Sequence, residues 1–200
     1  LWKSCHWSNL RVENDSTLVG YKLVKGWGPE RHVYFTAVFS KPFRDFGIMQ
    51  DTIPVKYNTN RFRSSLEAWG KDLRFWMRFP TRQGEVVTVK TAVSAVSSDG
   101  AKLNMQELEG KTFASLKAEG EKLWEGQLSK FKIEATPEQR ETFYTSVYHA
   151  FLHPFIFQDA DGKFRELDKN IGQAEGFTNY TVFSLWDTYR ALHPLFNLVQ

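Results

Sequence analysis

The chain has 200 residues, 42% apolar and 24% charged, which is enough for a real core in one large domain or two small ones. A net charge of +3, with Lys and Arg scattered among Asp and Glu, leaves no basic stripe of the kind that binds phosphate backbones, which argues against a nucleic-acid partner. A single cysteine, Cys5, excludes an internal disulfide and a Cys-based metal cluster, and no apolar run approaches the length of a membrane span.

Leu1-Trp2-Lys3-Ser4 has neither an initiator Met nor signal-peptide character, and residues 195–200 stop in an apolar, helix-like run without a cap. The chain therefore reads as the interior of a longer protein. Between these ends, residues 1–98 read as strands. Runs at 18–27, 32–40, 73–79 and 85–97 are rich in Val, Tyr, Phe and Thr. Gly26-Trp27-Gly28-Pro29-Glu30 and Pro80-Thr81-Arg82-Gln83-Gly84 supply turns, and Lys41-Pro42-Phe43 ends the second run, since Pro cannot continue an interior ladder. Residues 58–70 are polar and read as a loop. Strands of this length joined by short turns predict an antiparallel sandwich.

Near residue 98 the period changes. Ser98 or Asp99 can cap a helix through Ala101 to Glu109. Phe113, Leu116, Leu123, Trp124, Leu128 and Phe131 draw one apolar stripe on a second helix, which Gly120 and Gly126 weaken by roughly 1 kcal/mol each relative to Ala. The third helix has the strongest signals. Thr136 caps it, Pro137 takes the first position and Gln139 completes a capping box. Phe143, Tyr144, Val147, Tyr148, Phe151 and Leu152 give it a wide apolar face, and Pro154 ends it. The last third thus reads as helical.

Several patterns carry less than they promise. Asp159-Ala160-Asp161-Gly162 invites a calcium reading, but the glycine and the final acidic ligand miss the EF-hand positions, so it reads as a turn. His149 and His153 have the spacing of two zinc ligands, yet residue 150 is Ala and the HExxH base is missing. No nucleophile elbow, phosphate loop or Cys–His pair is present. Two glycosylation sequons, at Asn14 and Asn179, are common by chance.

The richest stretch runs from Thr181 through Val182-Phe183-Ser184-Leu185-Trp186-Asp187-Thr188-Tyr189-Arg190 to Ala191-Leu192-His193-Pro194-Leu195. An indole beside a carboxylate, with a guanidinium one turn later, suits a sugar. Pyranose C–H faces stack on indole, and a carboxylate accepts from two neighbouring hydroxyls. The same residues admit a purely structural reading: Ser184 and Asp187 cap a helix, Trp186 is core, and Asp187 pairs with Arg190 at i, i+3. A carboxylate at a helix N-terminus is held as an acceptor, which suits hydroxyl binding and not general acid catalysis.

This stretch, with Phe143-Tyr144-Thr145-Ser146-Val147-Tyr148-His149 and Asp159-Ala160-Asp161-Gly162-Lys163-Phe164, resembles the α-mannosidases of glycoside hydrolase family 92. Gly26-Trp27, Val33-Tyr34-Phe35, Phe39-Ser40-Lys41-Pro42-Phe43 and the run from Val89-Lys90 to Ser97-Ser98 are similar to that family's sandwich domain, and residues 124–133 to its linker. The resemblance implies a β + α multidomain chain. Residues 1–98 would be part of an N-terminal antiparallel β-sandwich, 99–135 a helical linker, and 136–200 the first part of an (α/α)6 barrel. It implies an exo-acting, inverting α-mannosidase, calcium-dependent and α-1,2-directed, acting on terminal mannose of glycans. The enzyme would be extracellular, periplasmic or at the cell surface.

By the same resemblance Trp186 and Asp187 belong to the pocket for the terminal mannose, with Arg190 orienting Asp187. The family's general acid, its base and most of its calcium ligands fall outside this stretch, so no catalytic or metal-binding residue is assigned here. Inversion needs two carboxyl groups roughly 6.5–9.5 Å apart, which Asp187 alone cannot supply. The segment alone is expected to be inactive, with the remainder of the same polypeptide packing on it. Two rivals stay open: another sandwich-plus-helical-barrel glycosidase or phosphorylase, and a non-catalytic carbohydrate-binding module.

Overall fold

The computed structural model describes residues 4–26, 30–50, 53–54 and 66–200. These fall into two compact units, residues 1–109 with 158–178, and residues 110–157 with 179–200. Among the described residues, no helix is long and apolar enough to cross a membrane.

The first unit is built on antiparallel strands. β1 (Ser4–Asn14) and β2 (Thr17–Lys25) form a hairpin closed at Asn14, whose Oδ1 accepts from the Ser16 backbone N–H at 2.9 Å. β3 (Arg31–Phe39) pairs with β2, and β8 (Val89–Ser94) pairs with β3. β6 (Leu66–Gly70) joins the far side of β1, giving the order β6-β1-β2-β3-β8. A second sheet holds β4 (Asp45–Gln50) between β5 (Ile53–Pro54) and β7 (Leu73–Arg78).

The register explains the core. Val12 stands opposite Leu18, and Leu18 opposite Ala37, so β1, β2 and β3 turn one apolar row to the same side. Phe46, Phe75 and Met77 from the second sheet pack against that row, which makes the pair of sheets a sandwich. Phe43 is the hub, buried between the sheets with ring contacts to Phe39, Phe46, Phe75 and Phe79 at 5.3–6.3 Å between centroids. On the other face of the larger sheet Val19, Thr36 and Ser94 are also buried, where α1 (Ser98–Met105) packs on β3 and β8.

Several sequence expectations change. Residues 66–70, read as loop, form strand β6, because five consecutive residues pair with β1; residues 58–65 of that expected loop lie outside the described residues, as do Trp27, Gly28 and Pro29 of the first turn. The run at 85–97 shortens to Val89–Ser94, since Glu85 is spent on a turn with Arg82 and on an ion pair with Lys41. The last third is not helical throughout. A hairpin of β9 (Lys163–Arg165) and β10 (Ile171–Gln173) interrupts it and packs with the sheet unit.

The helix caps follow the sequence closely. Ser97, one residue before the expected cap, accepts from the Gly100 N–H at 2.9 Å and starts α1, which ends in a 3-10 turn at Gln106–Leu108. In the second unit, α2 (Phe113–Leu128) carries a reciprocal Thr112–Ser115 cap and α3 (Pro137–Ala150) the predicted Thr136–Gln139 box. The apolar stripe of α2 is only partly used. Trp124 packs on Tyr148 in a tilted contact with centroids 4.4 Å apart, but Phe113 and Leu123 stay exposed. Phe131, Phe143, Phe151, Phe183 and Phe196 form an aromatic cluster that binds α3 to α5 (Leu192–Val199).

Candidate functional site

The Trp186–Asp187 motif sits in the second unit on a short, pinned approach. The Phe157 N–H donates to Asn179 O and the Thr181 N–H to Phe155 O, both at 2.8 Å, around a single bridge between Ile156 and Tyr180. Thr181 Oγ1 also accepts from the Phe155 N–H at 3.0 Å. Residues 179–181 therefore run antiparallel to 155–157, and Phe183 then drops into the aromatic cluster against His193 and Phe196. Beyond this anchor the chain makes one turn of helix, α4 (Leu185–Thr188).

That turn does not form the expected cap. The Ser184 side chain makes no cap bond; its carbonyl accepts from the Asp187 N–H at 3.0 Å and from Thr188 Oγ1 at 3.2 Å. Thr188 Oγ1 is in turn 2.9 Å from His193 Nε2. A helix of four residues has little dipole, so the capping argument for Asp187 loses its force. Within this chain Trp186 is 85% exposed and takes no part in the core of the second unit. The Asp187 carboxylate is exposed, and among the described residues no hydrogen bond or ion pair links it to Arg190. Arg190 instead donates from Nε to Tyr189 Oη at 2.6 Å, with its guanidinium 5.3 Å from the centre of the same ring. The turn thus brings together an indole, a carboxylate and a Tyr–Arg stack, all facing solvent within this unit. Tyr189, which residue type alone does not single out, belongs to this group; its place directly before Arg190 is the only sequence signal for it.

The other candidates resolve differently. In the Asp159-Ala160-Asp161-Gly162 stretch both carboxylates are committed. Asp159 is 5% exposed and accepts from Ser94 Oγ at 2.6 Å and from Asn104 Nδ2 at 2.8 Å. Its oxygen also sits where a Cβ on Gly100 would project, so the α1 backbone approaches it closely. Asn104 Oδ1 accepts from the Ala160 N–H at 2.7 Å, and Arg165 donates to the carbonyls of Ala95 and Val96 at 2.7 and 3.0 Å. These bonds clip the hairpin to the end of β8, to the connection that follows it and to the last turn of α1. Asp161 pairs with Lys163 at 2.7 Å, and that hydrogen bond, followed by one from the Lys163 backbone N–H, holds its carboxyl below the usual range. Gly162, at a φ of +81°, closes the turn to Asp159 O at 2.8 Å. The turn reading of this stretch is the one the geometry supports.

His153 packs against Phe155 and Phe183, and His149 against Tyr148. Among the described residues no three of His, Cys, Asp and Glu come close enough together to hold a metal ion.

Comparison with known proteins agrees along the whole chain. The glycosyl hydrolase family 92 N-terminal domain matches residues 1–94, and the family's catalytic domain matches residues 100–200. A family GH92 α-mannosidase from Bacteroides thetaiotaomicron is 68% identical, with a TM-score of 0.92 over 98% of this chain and 27% of its own. The same enzyme has been solved in complex with mannoimidazole, where the match covers 26% of that chain. A family GH92 inverting mannosidase from Bacteroides thetaiotaomicron VPI-5482 is 22% identical, with a TM-score of 0.76 over 95% of this chain and 26% of its own, and shows the shared fold. No curated protein matches. The chain spans about a quarter of the length of the solved enzymes it resembles. Its antiparallel sandwich followed by helices is the order of that fold, and the chain belongs to glycosyl hydrolase family 92.

Proposed function

We propose that the complete protein to which this chain belongs is an exo-acting α-mannosidase that removes terminal mannose from glycans with inversion. Trp186 and Asp187 line the pocket for the terminal sugar. The indole stacks on the pyranose, and the carboxylate accepts from two adjacent hydroxyls. Arg190, held by Tyr189, donates at the rim. The observation that carries this reading is the Trp186–Asp187 pair, exposed within this chain and with no side-chain hydrogen bond among the described residues, in a chain 68% identical to an α-mannosidase. The general acid and base come from elsewhere in the complete protein, as does the (α/α)6 barrel that the helices of the second unit begin. Calcium is expected to bind there too and to act on the sugar hydroxyls as a Lewis acid. An α-1,2 linkage preference and export from the cell complete the proposal.

The test is hydrolysis of methyl α-1,2-mannobioside, whose leaving group is methyl α-mannoside, by the complete protein, followed by proton NMR of the first free mannose, with and without excess chelator. β-Mannose appearing first, and only when calcium is present, supports the proposal. α-Mannose appearing first contradicts inversion, full activity in chelator contradicts the calcium requirement, and no hydrolysis of any α-mannoside contradicts the substrate.

A further inference from the structure

The smaller sheet carries an aromatic that the core does not use. Along β7, Leu73, Phe75 and Met77 are the more buried positions, and Arg74, Trp76 and Arg78 alternate with them on the outer face. Trp76 pairs across the ladder with Gly47 of β4 and is 41% exposed. Its indole lies over that partner: a Cβ on Gly47 would sit 2.7 Å from Cε2, Cζ2 and Nε1 of the ring. The ring is therefore seated on backbone, and only glycine fits beneath it. Glycine weakens a strand interior, and a tryptophan on an outer face contributes little to the core. Departures from local preference of this kind collect at functional sites.

Polar groups surround the ring. The Arg78 guanidinium lies 5.3 Å from its centroid and donates from Nη1 to Asp45 Oδ2 at 3.3 Å. Both members of that ion pair are largely exposed, and such a pair is worth little, so a ligand can take its place. Asp45 and Arg78 also line a shallow, open cleft of about 360 Å3 with Arg44, Phe79 and Pro80.

We propose that Trp76, Asp45 and Arg78 form a second carbohydrate site on the outer face of the sandwich, holding one hexopyranose of a glycan chain. Trp76 takes the C–H face of the ring, Asp45 accepts from a pair of hydroxyls, and Arg78 donates to a ring or hydroxyl oxygen. Such a site anchors a long glycan while its terminal residue is processed elsewhere. This rests on the reading that the complete protein acts on mannose-containing glycans.

The experiment uses the complete protein with its mannose pocket saturated by mannoimidazole. Retardation in native gels containing soluble α-mannan is measured for the parent, Trp76→Ala and Asp45→Asn. The proposal expects about a tenfold loss of apparent affinity in Trp76→Ala and a smaller loss in Asp45→Asn. Hydrolysis of a small aryl α-mannoside by the folded variants should not change. Parent-like retardation in both variants overturns it. Should Trp76→Ala fail to fold, Asp45→Asn alone decides. Absent hydrolysis of any α-mannoside in the parent sinks the proposed function, whereas intact hydrolysis with retardation indifferent to both residues sinks only the second site.

Discussion

The hairpin at residues 158–178 and the turn at residues 184–190 each present an aspartate, in opposite surroundings. Asp159 is buried, meets two side-chain donors, and has the α1 backbone at Gly100 pressed against it. Asp187 is exposed on one turn of helix, with its neighbour Trp186 equally open. A buried carboxylate whose oxygens are satisfied has its binding capacity used up by the fold. An exposed carboxylate beside an exposed indole keeps that capacity for something outside the unit. The contrast teaches that carboxylate chemistry alone does not mark a site; the partners decide.

The two aspartates are told apart most directly by truncating each in the complete protein. Asp187→Ala is expected to lower kcat/KM on a terminal α-mannoside by about 10²–10⁴-fold, the worth of two hydrogen bonds to a charged group, with little change in melting temperature. Asp159→Ala should do the reverse, costing about 2–4 kcal/mol of stability in thermal unfolding because Ser94 and Asn104 lose their acceptor. Equal effects of the two variants on both readouts would erase the distinction. Gly100→Ala sharpens it: a methyl driven into Asp159 should destabilise by about 1–3 kcal/mol, and a neutral result would mean the hairpin is not clipped where the geometry places it.

Smaller effects test the local signals. Thr136→Ala removes the cap of α3 and should cost about 1 kcal/mol by thermal unfolding, with Thr136→Ser recovering most of it. Asp161→Asn tests the ion pair with Lys163. The folded state lowers the Asp161 carboxyl, so its contribution is present above the unfolded-state pKa and disappears as pH falls through the folded-state one. The melting-temperature gap between parent and Asp161→Asn should therefore be small at neutral pH, since the pair is partly exposed, and should close on acidification. A gap that widens in acid would reverse the assignment.

Much of this fold can be read in the sequence because its signals are local. Thr136, Pro137 and Gln139 specify the start of α3 within four residues, and the cap forms as written. Strand β6 could not be read that way. Leu66–Gly70 is a strand only because β1 lies beside it, some 58 residues earlier in the chain. The same holds for Asp159. Its DADG neighbourhood already explains a turn, while the partners that bury it, Ser94 and Asn104, lie 65 and 55 residues away. At the site, the adjacency of Trp186 and Asp187 could be read directly. Their exposure could not, nor could the choice of Tyr189 over Asp187 by Arg190, since a favourable i, i+3 spacing is only an opportunity that a neighbouring ring can take instead.

The most direct test of the central claim is the affinity of the complete protein for mannoimidazole, measured by calorimetry for the parent and for Asp187→Ala. The account predicts a loss of at least about 100-fold, equivalent to about 2.7 kcal/mol, with the melting temperature of the unliganded protein preserved. Parent-like affinity in a variant that melts markedly lower would make Asp187 a structural residue and contradict the account.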